Sequence, residues 1–530
     1  MYSYDDLYRL QSDSCGYLNT KNRYQYDMAG NRTRLNVYQG DDTTVCHLDQ
    51  TYDSYDAANR VGRTITSGDT FDLNYWDTGT PKEVQYPNGA KEVYGLNVRG
   101  QLDSIATTLG DTLTWFKHKY GYNGLGDREW QYVYQTRPDV STLSDTFKYG
   151  YDGLRRLTTA IYPPSTNSGD TITYVYDAMG NRTEKQSVYN GTTPYAVDDT
   201  TNRMTQAGNY YFDYDSCGNW TRKWHTTDEG SVVDIYFSYD YENRLTDARG
   251  PGYDPYYMTT YYNGDGVRLS KATNADTEKR YVYDGMNTVV EQDGSGYLRY
   301  KYVYANGMLL SKIDASDSKE YYHRDGLGSI IGVTTSTPEI LTAQLFDEFG
   351  NWLYFDSDWD YYGYTGQEYD WPLMDAFNLR AREYYPEYGR FMQEDPIGDQ
   401  GGSLNWYLYV KNNPINAIDP SGTIVRWCKD GAGFHTWLEV TGYGSWGFYP
   451  KKGYELLAFL NSWLEFPSEM RNDGGKKCNP IAETSNNCAD ECVKKALNDL
   501  ENDAKRPKYK FAGNNCRDVS YKIWMNCIDK

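Results

Sequence analysis

The sequence predicts a mostly β fold: a long antiparallel sheet of repeated hairpins over residues 1–422, then a small α+β domain over 423–530. Three observations predict it. A Tyr-x-Tyr-Asp unit followed by Gly and Asn recurs along the first part. Tyrosine outnumbers phenylalanine 57 to 15, beside 49 glycines. Charge and cysteine both change after residue 422. Residues 423–530 hold 16 Lys+Arg against 14 Asp+Glu, net +2, and residues 1–422 hold 37 against 60, net −23. Such a break in composition marks a domain boundary.

The repeat explains the sheet. Tyr24-Gln-Tyr-Asp-Met-Ala-Gly-Asn-Arg-Thr33 and Tyr174-Val-Tyr-Asp-Ala-Met-Gly-Asn-Arg-Thr183 are near copies. Weaker copies begin at Tyr149, Tyr211, Tyr239, Tyr262 and Tyr281. Tyr-x-Tyr alternates, so both rings lie on one face of a strand. Asp-x-x-Gly-Asn bonds its own backbone and tolerates positive φ, which makes a turn. The Arg that follows opens the return strand. A single hairpin is marginal in water, so the units must associate side by side. Tyr-lined faces favour a sheet curled around a cavity over an open solenoid used for adhesion. The acidic balance argues against direct binding of nucleic acid or an anionic membrane by this part.

These units resemble the YD repeats of the RHS (rearrangement hot spot) family, related to the C component of insecticidal toxin complexes and to teneurins. The resemblance implies a spiralling sheet, a partial or complete β-cocoon, that encloses its own C-terminal toxin as cargo. Residues 1–320 then form the repeat shell. Residues 321–422 resemble the RHS-associated core: Tyr321-Tyr-His-Arg-Asp-Gly-Leu-Gly-Ser329, Tyr364-Thr-Gly-Gln-Glu368, Arg380-Ala-Arg-Glu-Tyr-Tyr385, Asp395-Pro-Ile-Gly398, Gly401-Gly402, Asn405-Trp-Tyr-Leu-Tyr409, Asn412-Asn-Pro414 and Asp419-Pro-Ser-Gly422 follow in order. His323 reads as a structural histidine of the sheet.

Asp395 and Asp419 each precede Pro, and Asp before Pro favours a turn. That is the bland reading. Paired carboxylates also share one proton, so that one acts as base on a water and the other as acid. The resemblance implies the second: an aspartyl self-cleavage site of Asp395, Asp419 and Arg382, cutting near Gly422, Thr423 and Ile424. The family usually carries Leu where Thr423 stands.

The tail has its own chemistry. Gly433–Val440 reads as a strand, 441–445 as a turn, and Trp446–Pro450 as a second strand. Cys488, Cys492 and Ala496 share one helical face, and Asn514-Asn-Cys516 enters a late helix. A thiol at a helix start has a lowered pKa. Cys516 with His435 is the minimum set for thiol acyl transfer, with Asn515 or Glu439 orienting the His. The order resembles circularly permuted papain-like folds, the NlpC/P60 and lecithin:retinol acyltransferase groups, which implies a peptidase, amidase or acyltransferase. The bland reading is a disulfide framework, since Cys428, Cys478, Cys488, Cys492, Cys516 and Cys527 all fall here. No Cys-x-x-Cys pair is present, so neither a zinc site nor any cofactor is expected.

Three functions compete. The first is a polymorphic toxin whose shell releases a Cys-His hydrolase. The second is a nuclease effector, for which Lys505-Arg-Pro-Lys-Tyr-Lys510 is the basic cluster. The third is a non-enzymatic surface or wall-associated repeat protein with a disulfide-rich end. No signal peptide is visible at Met1. The expectation is therefore a tip fragment, or a secreted or surface-delivered chain exported without an N-terminal signal. The resemblance also implies a secretion apparatus and an immunity protein as partners.

Overall fold

The computed structural model describes residues 1–40, 44–110, 113–166, 169–251, 257–274, 277–356, 362–371, 374–423, 425–427, 438–439 and 445–446. The chain divides into two compact units, Cys15–Phe434 and Met1–Ser14 with His435–Lys530. In the smaller unit Tyr2–Tyr4 pairs with the strand that starts at Leu10, and Leu438–Glu439 pairs with Ser445–Trp446.

The larger unit is an antiparallel meander. From Thr20–Tyr26 to Trp352–Phe355 each strand pairs with the next in sequence. The turn between strands follows from the repeat. Asp177 accepts the Asn181 N–H at 2.8 Å on one oxygen and the Asn181 side-chain amide at 2.9 Å on the other. Asp27 grips Asn31 in the same way. Where the fifth residue is Arg, as at Asp152–Arg156, the guanidinium takes the place of the amide at 2.7 Å. Gly180 has φ +85°, a conformation that glycine adopts without the clash a Cβ brings.

Tyrosine does more than line a face. The tyrosine just before a turn donates its hydroxyl to the carbonyl that opens the preceding return strand. Tyr176 bonds Leu157 at 2.8 Å, Tyr151 bonds Arg128 at 2.6 Å, Tyr214 bonds Met204 at 2.9 Å and Tyr262 bonds Leu245 at 2.8 Å. Phenylalanine offers the same ring but no such bond, which accounts for the composition. The Arg after the turn then covers a tyrosine ring: Arg32 lies 4.8 Å from the Tyr24 centroid and Arg182 4.5 Å from Tyr174. Such cation–π contacts favour Arg.

Late strands return onto early ones. Asn22 donates to the Tyr283 carbonyl at 2.9 Å, Gln50 to Tyr304 at 2.7 Å, Tyr86 to Tyr322 at 2.8 Å and Gln135 to Gln344 at 2.8 Å. One core cluster joins Phe71, Trp115 and Phe116 to Leu310, Ile313 and Ile331. His323 is part of this layer. It bonds Thr334 at 2.9 Å beside the rings of Tyr86, Trp115 and Phe116, and burial pushes its imidazole down to about 3.

After the meander the chain makes a four-stranded sheet of Glu368–Asp370, Ala376–Asn378, Glu383–Tyr385 and Arg390–Phe391. It is held to the repeat strands by a buried ion cluster. Arg268 and Lys271 meet Glu368 and Asp370 at 2.6–2.9 Å. The segment that follows seats on the repeat turns. Asn405 donates to the Asn181 side-chain oxygen at 2.6 Å, Asn412 to the Gly180 carbonyl at 2.7 Å, Arg390 to Asn202 at 2.7 Å and Tyr407 to Gly218 at 2.7 Å. Gly218 has φ +83°, a backbone conformation that L side chains rarely adopt.

Candidate active site

The site is built where this segment folds back on itself. Arg382 is 2 % exposed and stacks on the Phe391 ring at 3.5 Å. One terminal nitrogen, Nη2, faces both carboxylates: Asp395 Oδ2 at 3.0 Å and Asp419 Oδ2 at 3.5 Å. Nη1 donates to the Trp406 carbonyl at 2.8 Å, and Nε donates to the Gly422 carbonyl. The fork of a guanidinium suits this division, since its donors are fixed relative to one another.

Each aspartate divides its oxygens between two tasks. Asp395 Oδ1 accepts the Ile397 N–H at 3.0 Å, and the Asp395 carbonyl accepts the Gly398 N–H at 2.9 Å, so Asp395-Pro-Ile-Gly398 is a turn. Asp419 Oδ1 accepts from Ser421 N at 3.3 Å and Thr423 N at 3.0 Å, so Asp419-Pro-Ser-Gly422 is another. Each Oδ2 faces Arg382. Turn formation and pairing at one cation therefore use different atoms of the same side chains.

Burial sets the electrostatics. It pushes the Asp395 carboxyl up to about 6, against the pull of the Arg382 cation. It also pushes the Arg382 guanidinium down, against both aspartates. Between these groups lies a cavity of about 20 Å³, lined in part by Arg382, Asp395, Ser403, Trp406, Asp419 and Thr423. That volume admits one water molecule, with polar partners to hold it.

The chain at the predicted cut is gripped on both sides of one peptide bond. Arg382 holds the Gly422 carbonyl and Asp419 holds the Thr423 N–H. Gly422 has φ +72°, and a Cβ there would lie 2.5 Å from the Leu379 carbonyl oxygen. Beyond Thr423, Arg426–Trp427 pairs back with Ala417–Ile418.

Arg382, Asp395, Asp419, Gly422 and Thr423 are thus brought together. Ile424, His435, Asn515 and Cys516 lie outside the described residues, and of Glu439 only the backbone is described. The cysteines Cys15, Cys46 and Cys217 are free thiols. Three site residues escaped the sequence reading. The Trp406 carbonyl joins Arg382 to the Asp395 N–H, the latter at 3.1 Å. A Cβ on Gly401 would lie 2.8 Å from Asp395 Oδ2. Arg380 donates to the Pro420 carbonyl. All three sit inside motif pieces that are legible in the sequence, but their partners are not.

No family model matches the chain. Over 277 residues it is 32 % identical to the tRNA nuclease WapA of Bacillus subtilis strain 168, a match covering 50 % of this chain and 11 % of that protein. Over 340 residues it is 25 % identical to the double-stranded DNA deaminase toxin A of Burkholderia cenocepacia strain H111, covering 57 % of this chain and 22 % of that one. The chain spans about a tenth of the length of the WapA proteins it matches. Its fold is shared with the crystal structure of TcdB2-TccC3 without its hypervariable C-terminal region, at a TM-score of 0.62 and 19 % identity over 76 % of this chain and 21 % of that one.

Proposed function

We infer that this chain, an RHS-type YD-repeat protein, is a polymorphic toxin that cuts its own C-terminal effector loose at the Asp395–Asp419–Arg382 site. The observation that carries this is the convergence of both carboxylates on Arg382 beside the gripped Gly422–Thr423 bond. Asp419 is the base that draws a proton from a water, for which the cavity has room. The hydroxide adds to the carbonyl carbon, and Arg382 Nε stabilises the oxygen as it gains charge. Asp395 gives a proton to the leaving nitrogen, the C–N bond breaks, and an acid and an amine result.

Wild-type protein is expected to run on a denaturing gel as two bands, split near residue 422, with the small fragment starting at Thr423 or Ile424. Asp395→Asn should leave one intact band. Equal cleavage in wild type and Asp395→Asn would sink the reading. Because Asp395 must carry a proton, cleavage should slow as pH rises through about 6.

Residues 423–530 are the effector, and the shell their carrier. Delivery out of the producing cell by a secretion apparatus, and protection of that cell by an immunity protein, belong to the same reading. The leading reading of the effector is a hydrolase or acyltransferase with Cys516 as nucleophile, His435 as base and Asn515 or Glu439 as orienting group. It stands on the sequence. A nuclease is the second reading, favoured by the tRNA nuclease among the relatives and by Lys505–Lys510. Toxicity of the isolated tail that disappears in Cys516→Ala supports the first, and nuclease activity that survives the substitution supports the second.

A further inference from the structure

We infer that Arg380, Ala381 and Arg382 form a three-rung clamp on the chain leading into the cut, and that Arg380 is a positioning residue for self-cleavage. This rests on the self-cleavage reading above. Three consecutive donors meet three consecutive carbonyls. Arg380 Nη1 donates to Pro420, the Ala381 N–H to Ser421 at 3.2 Å, and Arg382 Nε to Gly422. Two parallel stretches in the same order hold each other rung by rung, as paired strands do, but the outer rungs are guanidinium groups.

Arg380 is built for this place. It adopts φ +66°, which an L side chain with a long stem rarely does. Arg155, in an ordinary repeat turn, has nearly the same conformation at φ +65°, so it is the partners of Arg380 that set it apart. Its guanidinium donates to three neutral oxygens: the Pro420 carbonyl, Gln367 Oε1 at 2.8 Å and the Met286 carbonyl at 3.0 Å. Among the described residues it makes no ion pair with a carboxylate. Its role is therefore to tie the Pro420 carbonyl to the repeat sheet and the core at once, leaving both aspartates to the reaction.

The clamp itself touches only backbone at 420–422, while the Ser421 hydroxyl bonds Asp419 Oδ1 at 3.4 Å and Thr423 Oγ1 at 3.0 Å. At 422 it admits only glycine, because of the 2.5 Å approach to Leu379. A shift of one ångström at a reacting bond can slow a reaction about a hundredfold. Loss of one rung should act in that way, through geometry at the scissile bond; Arg380 also feels the Asp419 charge, but its hydrogen bonds go to neutral oxygens.

The test follows the full chain in a cell-free translation pulse-chase, from pH 5 to 8, with wild type, Arg380→Ala, Arg380→Lys and Asp395→Asn. Limited proteolysis scores how much shell has folded. Arg380→Ala should cut at least tenfold more slowly per folded molecule, with the same pH midpoint as wild type. Arg380→Lys, which keeps one donor, should recover much of the rate. Wild-type speed in Arg380→Ala, a displaced pH midpoint, or a defect that follows shell folding and is not eased by lysine each overturns the clamp. Undiminished cleavage in Asp395→Asn overturns the dyad itself. A blocked Asp395→Asn beside an unaffected Arg380→Ala overturns the clamp alone.

Discussion

Glu383 follows Arg382 in the chain and is 2 % exposed. Gln393 and Asn378 donate amide protons to its carboxyl. Burial still dominates and pushes it up from its usual 4.5 to about 7. The folded chain therefore binds more protons than the unfolded chain between those values. The stability this group supplies is complete below pH 4.5 and is lost as pH rises through 7, a change of roughly 3 kcal/mol. Asp395 acts with the same sign between 3.8 and about 6. Urea unfolding at pH 4.5 and pH 8 should show this loss in wild type and a smaller one in Glu383→Gln. Equal losses would place the pH dependence elsewhere. At this scale Asp395, Asp419 and Arg382 were legible only through the family resemblance, since Asp before Pro by itself reads as a turn. The sequence was silent about Glu383 and Arg380, whose behaviour depends on burial and on partners up to 94 positions away.

Hairpins were the most legible elements. Tyr-x-Tyr-Asp and the Gly-Asn that follows specify strand, turn and return strand by local chemistry, and the pairings at Thr171–Tyr176 and Arg182–Ser187 follow that pattern. The destination of the hydroxyls was not legible, because the acceptor belongs to the preceding hairpin. Tyr176→Phe isolates that bond: ring and packing stay, and the 2.8 Å bond to Leu157 goes. It should destabilise the shell by about 1 kcal/mol, read as a lower urea midpoint at constant slope. A neutral result would mean that water replaces the hydroxyl. Asp177→Ala removes two bonds to Asn181 and should cost more, about 2 kcal/mol in the same assay.

The molecule as a whole depends on contacts that no repeat predicts. Strands about 250 residues apart meet through side chains such as Asn22 and Gln50, and neither occupies a signature position of the repeat. The Arg268–Lys271–Glu368–Asp370 cluster joins repeat strands to the later sheet across about 100 residues. Arg268→Met should destabilise by about 3–5 kcal/mol, because it leaves Asp370 buried with half its compensation. Chemical denaturation measures it, and a loss under 1 kcal/mol would mean that Lys271 alone suffices.

Asn405, Asn412, Arg390 and Tyr407 seat the last segment on turns at Asn181, Gly180, Asn202 and Gly218. A ribosome delivers those turns first and their readers some two hundred residues later. The proposed cut thus has a fixed place in the calendar of synthesis: Arg382 can meet its two aspartates only after the surface beneath them exists. On that proposal a chain whose shell stalls would keep its tail covalently tied and remain one molecule, so the break would report that the repeat strands had folded first.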